Sequence, residues 1–490
     1  MIARLLGLLA AIVLPVAARA AAPERPAGPN VMVILADDMG IGDVSALNPR
    51  SLWRTPHLDR LAAEGMTFTD AHSSSGVCTP TRYTLLTGRY SWRGRLKRGV
   101  LNGYGAPLIE PGRLTLPGFL RARGYTTAMF GKWHLGLDWA KAGPGPEEVD
   151  YAKPFGGGPV ANGFDRFIGI SASLDMPPYV WLRDDRVTSP PAGKVGDSPA
   201  PRLWRAGPIG ADFRMEEVQP RLTRETIDFI AGHAASRDRP PFFVYLALAS
   251  PHTPTLPTEE FSSTTPTPYG AFVRQLDADV GAILAALEKH GLARDTLVVF
   301  TSDNGYAPAG DIPRHRDLGH DSSGGFRGSK SDAFEGGHRV PFIVRWPAVV
   351  PRGAVTPALC SQVDLMATIA AATGLNLPPD TAHDSHNLLP VWKSPDSPSP
   401  RRTIVHSTNA SGYAVRHDRW LLVAAKTGAV SRVPEGYDAA NGYTANDQPG
   451  ELYDLAADLG QRRNLYGTKP GKVSELQALL AQVRAKGQVR

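Results

Sequence analysis

Several apolar runs end abruptly in polar residues that can do chemistry. Val31–Ala36 (VMVILA) runs into Asp37-Asp38, and Leu297–Thr301 (LVVFT) into Ser302-Asp303-Asn304-Gly305. Phe242–Ala249 is followed by Ser250-Pro251-His252, and Thr126–Phe130 by Gly131-Lys132-Trp133-His134. Asp37, Asp38, Asp303 and Asn304 offer only oxygen ligands. Such a set suits a hard dication, Ca²⁺ or Mg²⁺, better than zinc. Taken singly, Asp37-Asp38 reads equally well as a turn or a helix cap, and Ser-Asp-Asn-Gly as a turn. Lys132, His134, His252, Lys330 and Arg82 are cationic or can become so. They suit a tetrahedral oxyanion whose charge must be stabilised during reaction.

A second cluster is the segment Ser73–Gly88 (SSSGVCTPTRYTLLTG). Pro80 fits the first turn of a helix that Tyr83–Leu86 continue, so Cys78 falls at a helix N-terminus, where anions are favoured. Arg82, four residues on, shares its face. A nucleophile at position 78 would meet an anionic group drawn in by the helix dipole.

Cys78-Thr-Pro-Thr-Arg82 resembles the Cys-x-Pro-x-Arg signature of the type I sulfatases, in the arylsulfatase-A-like branch of the alkaline phosphatase superfamily. Leu85-Leu-Thr-Gly-Arg89, Gly131-Lys-Trp-His-Leu-Gly136, Ser250-Pro-His252 and Ser302-Asp-Asn-Gly305 are similar to the same family. So are Arg327-Gly-Ser-Lys330, Glu335-Gly-Gly-His-Arg-Val-Pro341 and Glu451-Leu-Tyr-Asp454 with Asn464-Leu465. The likeness runs from about Asn30 to Leu465. It implies hydrolysis of sulfate esters, exo-acting on sulfated carbohydrates or acting on aryl sulfates. It also implies that Cys78 becomes Cα-formylglycine, made by a formylglycine-generating enzyme, whose aldehyde hydrate attacks sulfur and then expels sulfate. Asp37, Asp38, Asp303 and Asn304 would bind Ca²⁺. Arg82 and Lys132 would orient the hydrate, His134 would serve as base for sulfate release, and His252 and Lys330 would hold sulfate and protonate the leaving oxygen.

For the substrate, Ser171–Trp181 and Gly207–Gly210 resemble stretches of the same branch. Asp175 is the candidate for gripping a sugar hydroxyl, and a plain loop turn before Met-Pro-Pro is the alternative. His320 and Arg327 are further pocket candidates. His57, His72, His233 and His290 read as structural or exposed. The competing activities are phosphodiester or phosphonate monoester hydrolysis on the same scaffold, and glycan binding without catalysis.

These residues need elements to hold them. Short β-rich runs alternate with helical patterns over the first ~380 residues, the mark of an α/β fold with a large, mainly parallel sheet between helices. In such sheets ligands bind beyond the carboxyl ends of the strands, so four of those ends would gather the clusters above along one edge. Phe342–Trp346 is a further strand; helices are expected from Thr55-Pro56 to near Gly65 and over Phe272–His290. Gly143–Gly158 and Val187–Gly210 read as long loops. After a Pro/Ser-rich stretch, Pro378–Pro400, short strands at Thr403–His406, Tyr413–Arg416, Trp420–Ala424 and Glu451–Asp454 and a helix bearing Leu476, Leu479, Leu480 and Val483 predict a small antiparallel sheet plus helix. The division is then residues 1–20, 21–385 (catalytic) and 400–490 (small α+β unit).

The bulk properties agree. The chain has 490 residues, 42% hydrophobic and 20% charged, which excludes disorder as the default. A net charge of +6 with no long basic run excludes nucleic acid as a partner; Arg93–Arg98 reads as a solvated loop. Arg4, the apolar Leu5–Val16 and Ala18-Arg-Ala20 form a cleavable signal peptide, too short to span a bilayer. A secreted or periplasmic protein without a membrane anchor is expected, of bacterial character. Cys78 and Cys360 are the two cysteines, and Cys360, which opens an apolar helical stretch, reads as a buried thiol, so no disulfide framework holds this fold.

Overall fold

The computed structural model describes residues 28–199, 202–410 and 412–486. The expected signal peptide, residues 1–20, lies outside them. Ten strands form the main sheet, and five neighbouring central strands run parallel: Thr296–Ser302, Asn30–Asp37, Phe242–Pro251, Thr126–Lys132 and Arg166–Ile170. Phe342–Arg345 extends the sheet antiparallel beside Thr296–Ser302. The apolar runs are continuous because both faces are covered. Along Asn30–Asp37, Val31, Val33 and Leu35 enter one core while Met32, Ile34 and Ala36 enter the other. The first core is closed by helices Cys78–Thr87, Leu116–Arg121 and Leu365–Ala372, the second by Pro56–Ala63, Val218–Ala235 and Pro268–Lys289. Each such buried Val, Leu or Ile contributes roughly 1.5–3 kcal/mol before the entropy of ordering is subtracted.

The smaller sheet is antiparallel, in the order Thr403–Ser407, Tyr413–His417, Trp420–Val423, Glu451–Asp454. The final helix, Pro470–Ala485, buries Val473, Leu476, Leu480 and Val483 against it; Leu479 is half-buried. Tyr90, Trp92 and Val363 of the main unit share that core. Ion pairs also cross the junction: the buried Arg401 Nε and Nη2 lie 2.6 and 2.5 Å from the two oxygens of Asp364, and Arg416 Nη2 lies 2.6 Å from the half-buried Asp70.

Three expectations are refined. The long helix starts at Pro268, not Phe272, because Thr267 caps it by accepting from the Gly270 N–H at 3.1 Å. Residues 187–210 hold a hairpin, Pro191–Val195 paired with Gly207–Gly210, which the prolines and glycines disguised. Cys360 opens a two-residue strand, paired with Ala71–His72, rather than a helix. No helix among the described residues is long and apolar enough to cross a membrane.

Candidate active site

The carboxyl ends of the parallel strands carry the chemistry. Asp37 is the last residue of its strand, and Asp38 adopts φ +65°, a left-handed conformation that Asp tolerates. That turn lets the Asp38 N–H donate to Asp303 Oδ1 at 3.2 Å. The Asp303 N–H donates to the Ala36 carbonyl, which ties the two strand ends together. Lys132 ends its strand just after Gly131, whose φ is +117°; any Cβ there would sit 1.8 Å from the Ala247 carbonyl oxygen of the neighbouring strand.

Cys78 is the first residue of a helix whose ten residues are all buried. Val77 at the N-cap offers no side-chain acceptor, so no N-cap side chain satisfies the first-turn N–H groups of this helix. Arg82, one turn on, donates through Nε and Nη2 to Asp303 Oδ2 at 3.0 and 2.7 Å and through Nη1 to the Lys132 carbonyl at 3.0 Å. Lys132 Nζ donates to Asp37 Oδ2 at 2.6 Å, and Lys330 Nζ lies 2.7 Å from both Asp38 oxygens. His252 Nε2 is 3.5 Å from Asp38 Oδ2. Asn304 Nδ2 donates to Asp38 Oδ1 at 2.7 Å. Three carboxylates and three permanent cations are thus interlocked at one strand edge.

Their protonation follows. Burial alone would push Asp37 up, but Lys132, then His252 and Arg82, hold it below the usual carboxylate range. Burial is likewise outweighed at Asp38 by Lys330 and His252. Asp303 goes the other way: burial and the Asp37 charge raise it despite Arg82. Burial also raises the Cys78 thiol, so the unmodified side chain is a protonated, poor nucleophile. His134 is held well below the usual imidazole range by burial, then by Lys132 and Arg82. Its Nε2 lies 2.6 Å from the Leu101 carbonyl, which makes Nε2 the donor and leaves Nδ1, buried and unpartnered, as a free acceptor.

The acidic set fits a hard cation. Asp37 Oδ1 and Asn304 Oδ1 are buried oxygens with no hydrogen-bond donor. Such orphaned acceptors are costly unless a cation or water satisfies them. Oxygens of Asp37 and Asp38 and a ring nitrogen of His252 lie within 4.8 Å of one another.

The structure thus gathers Asp37, Asp38, Cys78, Arg82, Lys132, His252, Asp303, Asn304 and Lys330, with His134 beside them, its N–H donating to the Ser171 carbonyl. Asp175 follows the Arg166–Ile170 strand on this edge; its Oδ2 is 2.7 Å from Arg205 Nη1, and its buried Oδ1 has no partner. His320 and Arg327, expected in the pocket, are engaged elsewhere. His320 Nε2 bonds Asp43 Oδ1 at 2.9 Å, and its Nδ1 accepts from the Leu52 N–H. Arg327 donates to Tyr453 Oη and the Gln461 carbonyl between the Phe334 and Tyr443 rings, joining the small sheet to the main unit. The Leu101 carbonyl that orients His134 had no side-chain signal in the sequence. Ser171 and Ser250 also carry buried, unpartnered hydroxyls, Ser250 two residues before His252 and Ser171 four before Asp175.

A twisted parallel sheet that presents fixed cations and an oxygen-only cation set along its carboxyl edge defines an enzyme acting on a tetrahedral oxyanion. Residues 29–375 match the family model described as Sulfatase. An N-acetylgalactosamine-6-O-sulfatase of Bacteroides thetaiotaomicron is 32% identical, covering 94% of this chain and 93% of its own. Human arylsulfatase A is 34% identical over 94% of this chain and 88% of its own. A solved structure from work on glycosaminoglycan metabolism by Bacteroides thetaiotaomicron superposes with a TM-score of 0.80 at 31% identity, covering 94% of this chain and 100% of that one. The chain belongs to the sulfatase family and is a sulfuric ester hydrolase.

Proposed function

We propose that this enzyme removes sulfate from sulfated carbohydrates, with a 6-O-sulfated amino sugar as the first substrate to test, using residue 78 as formylglycine and a Ca²⁺ ion. The observation that carries the reading is the meeting of Cys78, at a helix N-terminus, with Arg82, Lys132, Lys330 and the Asp37/Asp38/Asp303/Asn304 oxygens. The named activities of the relatives supply the substrate class. Residues 21–385 would form the catalytic unit and 400–490 the small one, in a secreted or periplasmic protein matured by a formylglycine-generating enzyme.

Formylglycine, as its hydrate, supplies a covalent nucleophile and a second hydroxyl for expelling sulfate. Asp37, Asp38, Asp303 and Asn304 would hold the cation, which supplies charge to a sulfate oxygen. The chain's own residues do the rest. Arg82 locks Asp303 and the Lys132 backbone into one unit, so the anion meets a preorganised field. Lys132 and Lys330 place positive charge on either carboxylate of the Asp37-Asp38 pair. His134 Nδ1 accepts a proton from residue 78, and His252 Nε2 delivers one to the leaving oxygen.

The test is the mass of the Cys78 peptide from protein matured in a host able to modify such motifs. Loss of H₂S and gain of oxygen lowers it by about 18 Da and creates an aldehyde that a hydrazide labels. An unmodified, unlabelled thiol in fully active protein overturns the nucleophile assignment. Faster turnover of a phosphate diester than of a sulfate ester of the same alcohol would overturn the substrate reading.

A further inference from the structure

Beside the reacting centre lies a cavity of about 190 Å³ that none of the steps above uses. Tyr306, His315, Arg316 and Asp321 of the main unit line it, together with Tyr437 and Asn441 of the small one. Ligand sites favour such junctions between units. His320 also lines it, but both of its ring nitrogens are already bonded.

The walls of the cavity are continuous with the elements that carry the centre. Tyr306 follows Asn304 by two residues, so their Cα atoms are at most about 7 Å apart. The Lys330 N–H donates to the Tyr306 carbonyl at 2.8 Å, and the Gly42 N–H to the Ser322 carbonyl at 2.9 Å. The Tyr306 ring meets that of Tyr269 edge-on at 4.9 Å, and Tyr269 Oη donates to the Asp38 carbonyl at 3.2 Å. A sulfate held among Lys330, Asp38 and Asn304 therefore has this cavity as its neighbour.

The polar groups in the cavity are not matched to one another. Arg316 is exposed on the helix Ile312–Asp317, and among the described residues no carboxylate or carbonyl accepts from its guanidinium. It lies over the Tyr437 ring, 4.9 Å from the centroid, a contact that holds it while leaving its N–H groups free. Asp321 accepts the Ser323 N–H on Oδ1 at 2.9 Å and the Gly325 N–H on Oδ2 at 2.8 Å. Those bonds fix the carboxylate and leave a lone pair on each oxygen. Asn441 Nδ2 donates to the Tyr437 carbonyl at 2.7 Å, which leaves its Oδ1 as an acceptor. The cavity thus offers a guanidinium fork, which matches a planar carboxylate with two parallel hydrogen bonds, and acceptors suited to hydroxyls.

We propose that this cavity is the subsite for the sugar joined to the sulfated one, and that it takes a ring bearing a carboxylate. Arg316 pairs with that carboxylate, and Asp321 and Asn441 accept hydroxyls of the same ring. The proposal rests on the carbohydrate reading above. It gives the small unit a part in recognition, since Tyr437 and Asn441 belong to it.

The full chain with Cys78 unmodified is titrated by calorimetry with 6-O-sulfated N-acetylgalactosamine linked to glucuronate, and with the same disaccharide after its carboxylate is reduced to an alcohol. The uronate form binds about tenfold more tightly. R316Q binds both equally, whereas R352Q, altered at an exposed arginine beside the edge strand Ala354–Thr356, keeps the ratio. Equal affinities in wild type, or an undiminished ratio in R316Q, overturn the subsite. The wild-type comparison stands even if R316Q does not fold. Kinetics of the matured enzyme separate this outcome from failure of the carbohydrate reading. Equal kcat/KM for the sulfated monosaccharide and both disaccharides keeps the substrate class and overturns the subsite. Turnover of an aryl sulfate but of none of the three sugars overturns the substrate class, and the affinity ratio then decides the subsite alone.

Discussion

Arg82→Met tests the centre most directly, because it keeps the bulk of the side chain and removes only the guanidinium. Asp303 Oδ2 loses both of its arginine hydrogen bonds, at 3.0 and 2.7 Å, and Asp303 is fully buried. Removing one partner of a buried ion pair costs about 3–5 kcal/mol, since the remaining charge is uncompensated. With an unfolding entropy of about 2.1 cal/mol/K per residue, a chain of 490 residues that melts as one unit loses about 1 °C per kcal/mol. In chelator the midpoint therefore falls by about 3–5 °C. Saturating Ca²⁺ shrinks that gap, because a cation at Asp303 replaces the missing charge. Sulfatase activity falls by about 10²–10³-fold even with Ca²⁺, since the fixed donor next to residue 78 is gone. Arg82→Lys restores charge but not the two-pronged contact, and so recovers stability more than kcat. Calorimetry with and without chelator, with aryl sulfate kinetics, reads all of this. An R82M protein that melts within about 1 °C of wild type in chelator refutes the electrostatic reasoning.

Asp175→Asn weakens recognition of a sugar hydroxyl while leaving the reacting centre intact; kcat/KM on a sulfated monosaccharide drops about 10-fold or more while an aryl sulfate is hydrolysed within about twofold of wild type. Equal losses on both substrates would place Asp175 in scaffolding instead. Asp279, on the long helix, is pushed up to about 6 by burial, with Gln219 and Thr223 opposing. The folded chain thus keeps this proton as the unfolded chain releases it near its ordinary 3.8, so stability is lost as pH rises from 3.8 through about 6. Asp279→Asn removes that loss: its advantage in unfolding free energy, read from urea titration, is small at pH 4 and up to about 3 kcal/mol at pH 7.5. A pH-independent difference would refute the assignment. Inorganic sulfate is a competitive inhibitor that binds more tightly than a monoanion of similar size, and equal inhibition by both would contradict the charge balance argued below.

The main sheet was readable because both of its faces are covered: VMVILA and FFVYLALA are apolar at every position, and nothing but a sandwiched strand explains such a short run. The centre was readable for a related reason. Parallel strands aim their carboxyl ends the same way, so Asp37, Lys132, His252 and Asp303 could be gathered without knowing a single contact. Contacts that depend on distant pairing were not readable. His72 and His338 are 266 residues apart in sequence, and no local pattern announces that their rings meet. His320 beside a Gly/Ser-rich loop resembled a pocket residue, yet Asp43, far back in the chain, claims its Nε2. The hairpin at Pro191–Val195 was hidden because its prolines and glycines carry turn signals even when the backbone is extended.

The charge balance of the centre bears on how the proposed dication and an anionic ester would act together. Asp37, Asp38 and Asp303 face Arg82, Lys132 and Lys330, so these six side chains by themselves balance in charge, with His252 beside Asp38 in addition. In that state each lysine is held by a carboxylate and has little field to offer a substrate. Asp37, Asp38, Asp303 and Asn304 would hold a dication under the proposed function, and its two charges would then add to those of the lysines and Arg82. A sulfate monoester, with one negative charge, would then be attracted without neutralising the site. The charge that builds on oxygen as the ester bond breaks would meet the remaining positive field, which would favour the transition state over the bound substrate. With such a dication bound, inorganic sulfate, with two negative charges, would be held more tightly than the singly charged ester, which is the basis of the inhibition prediction above.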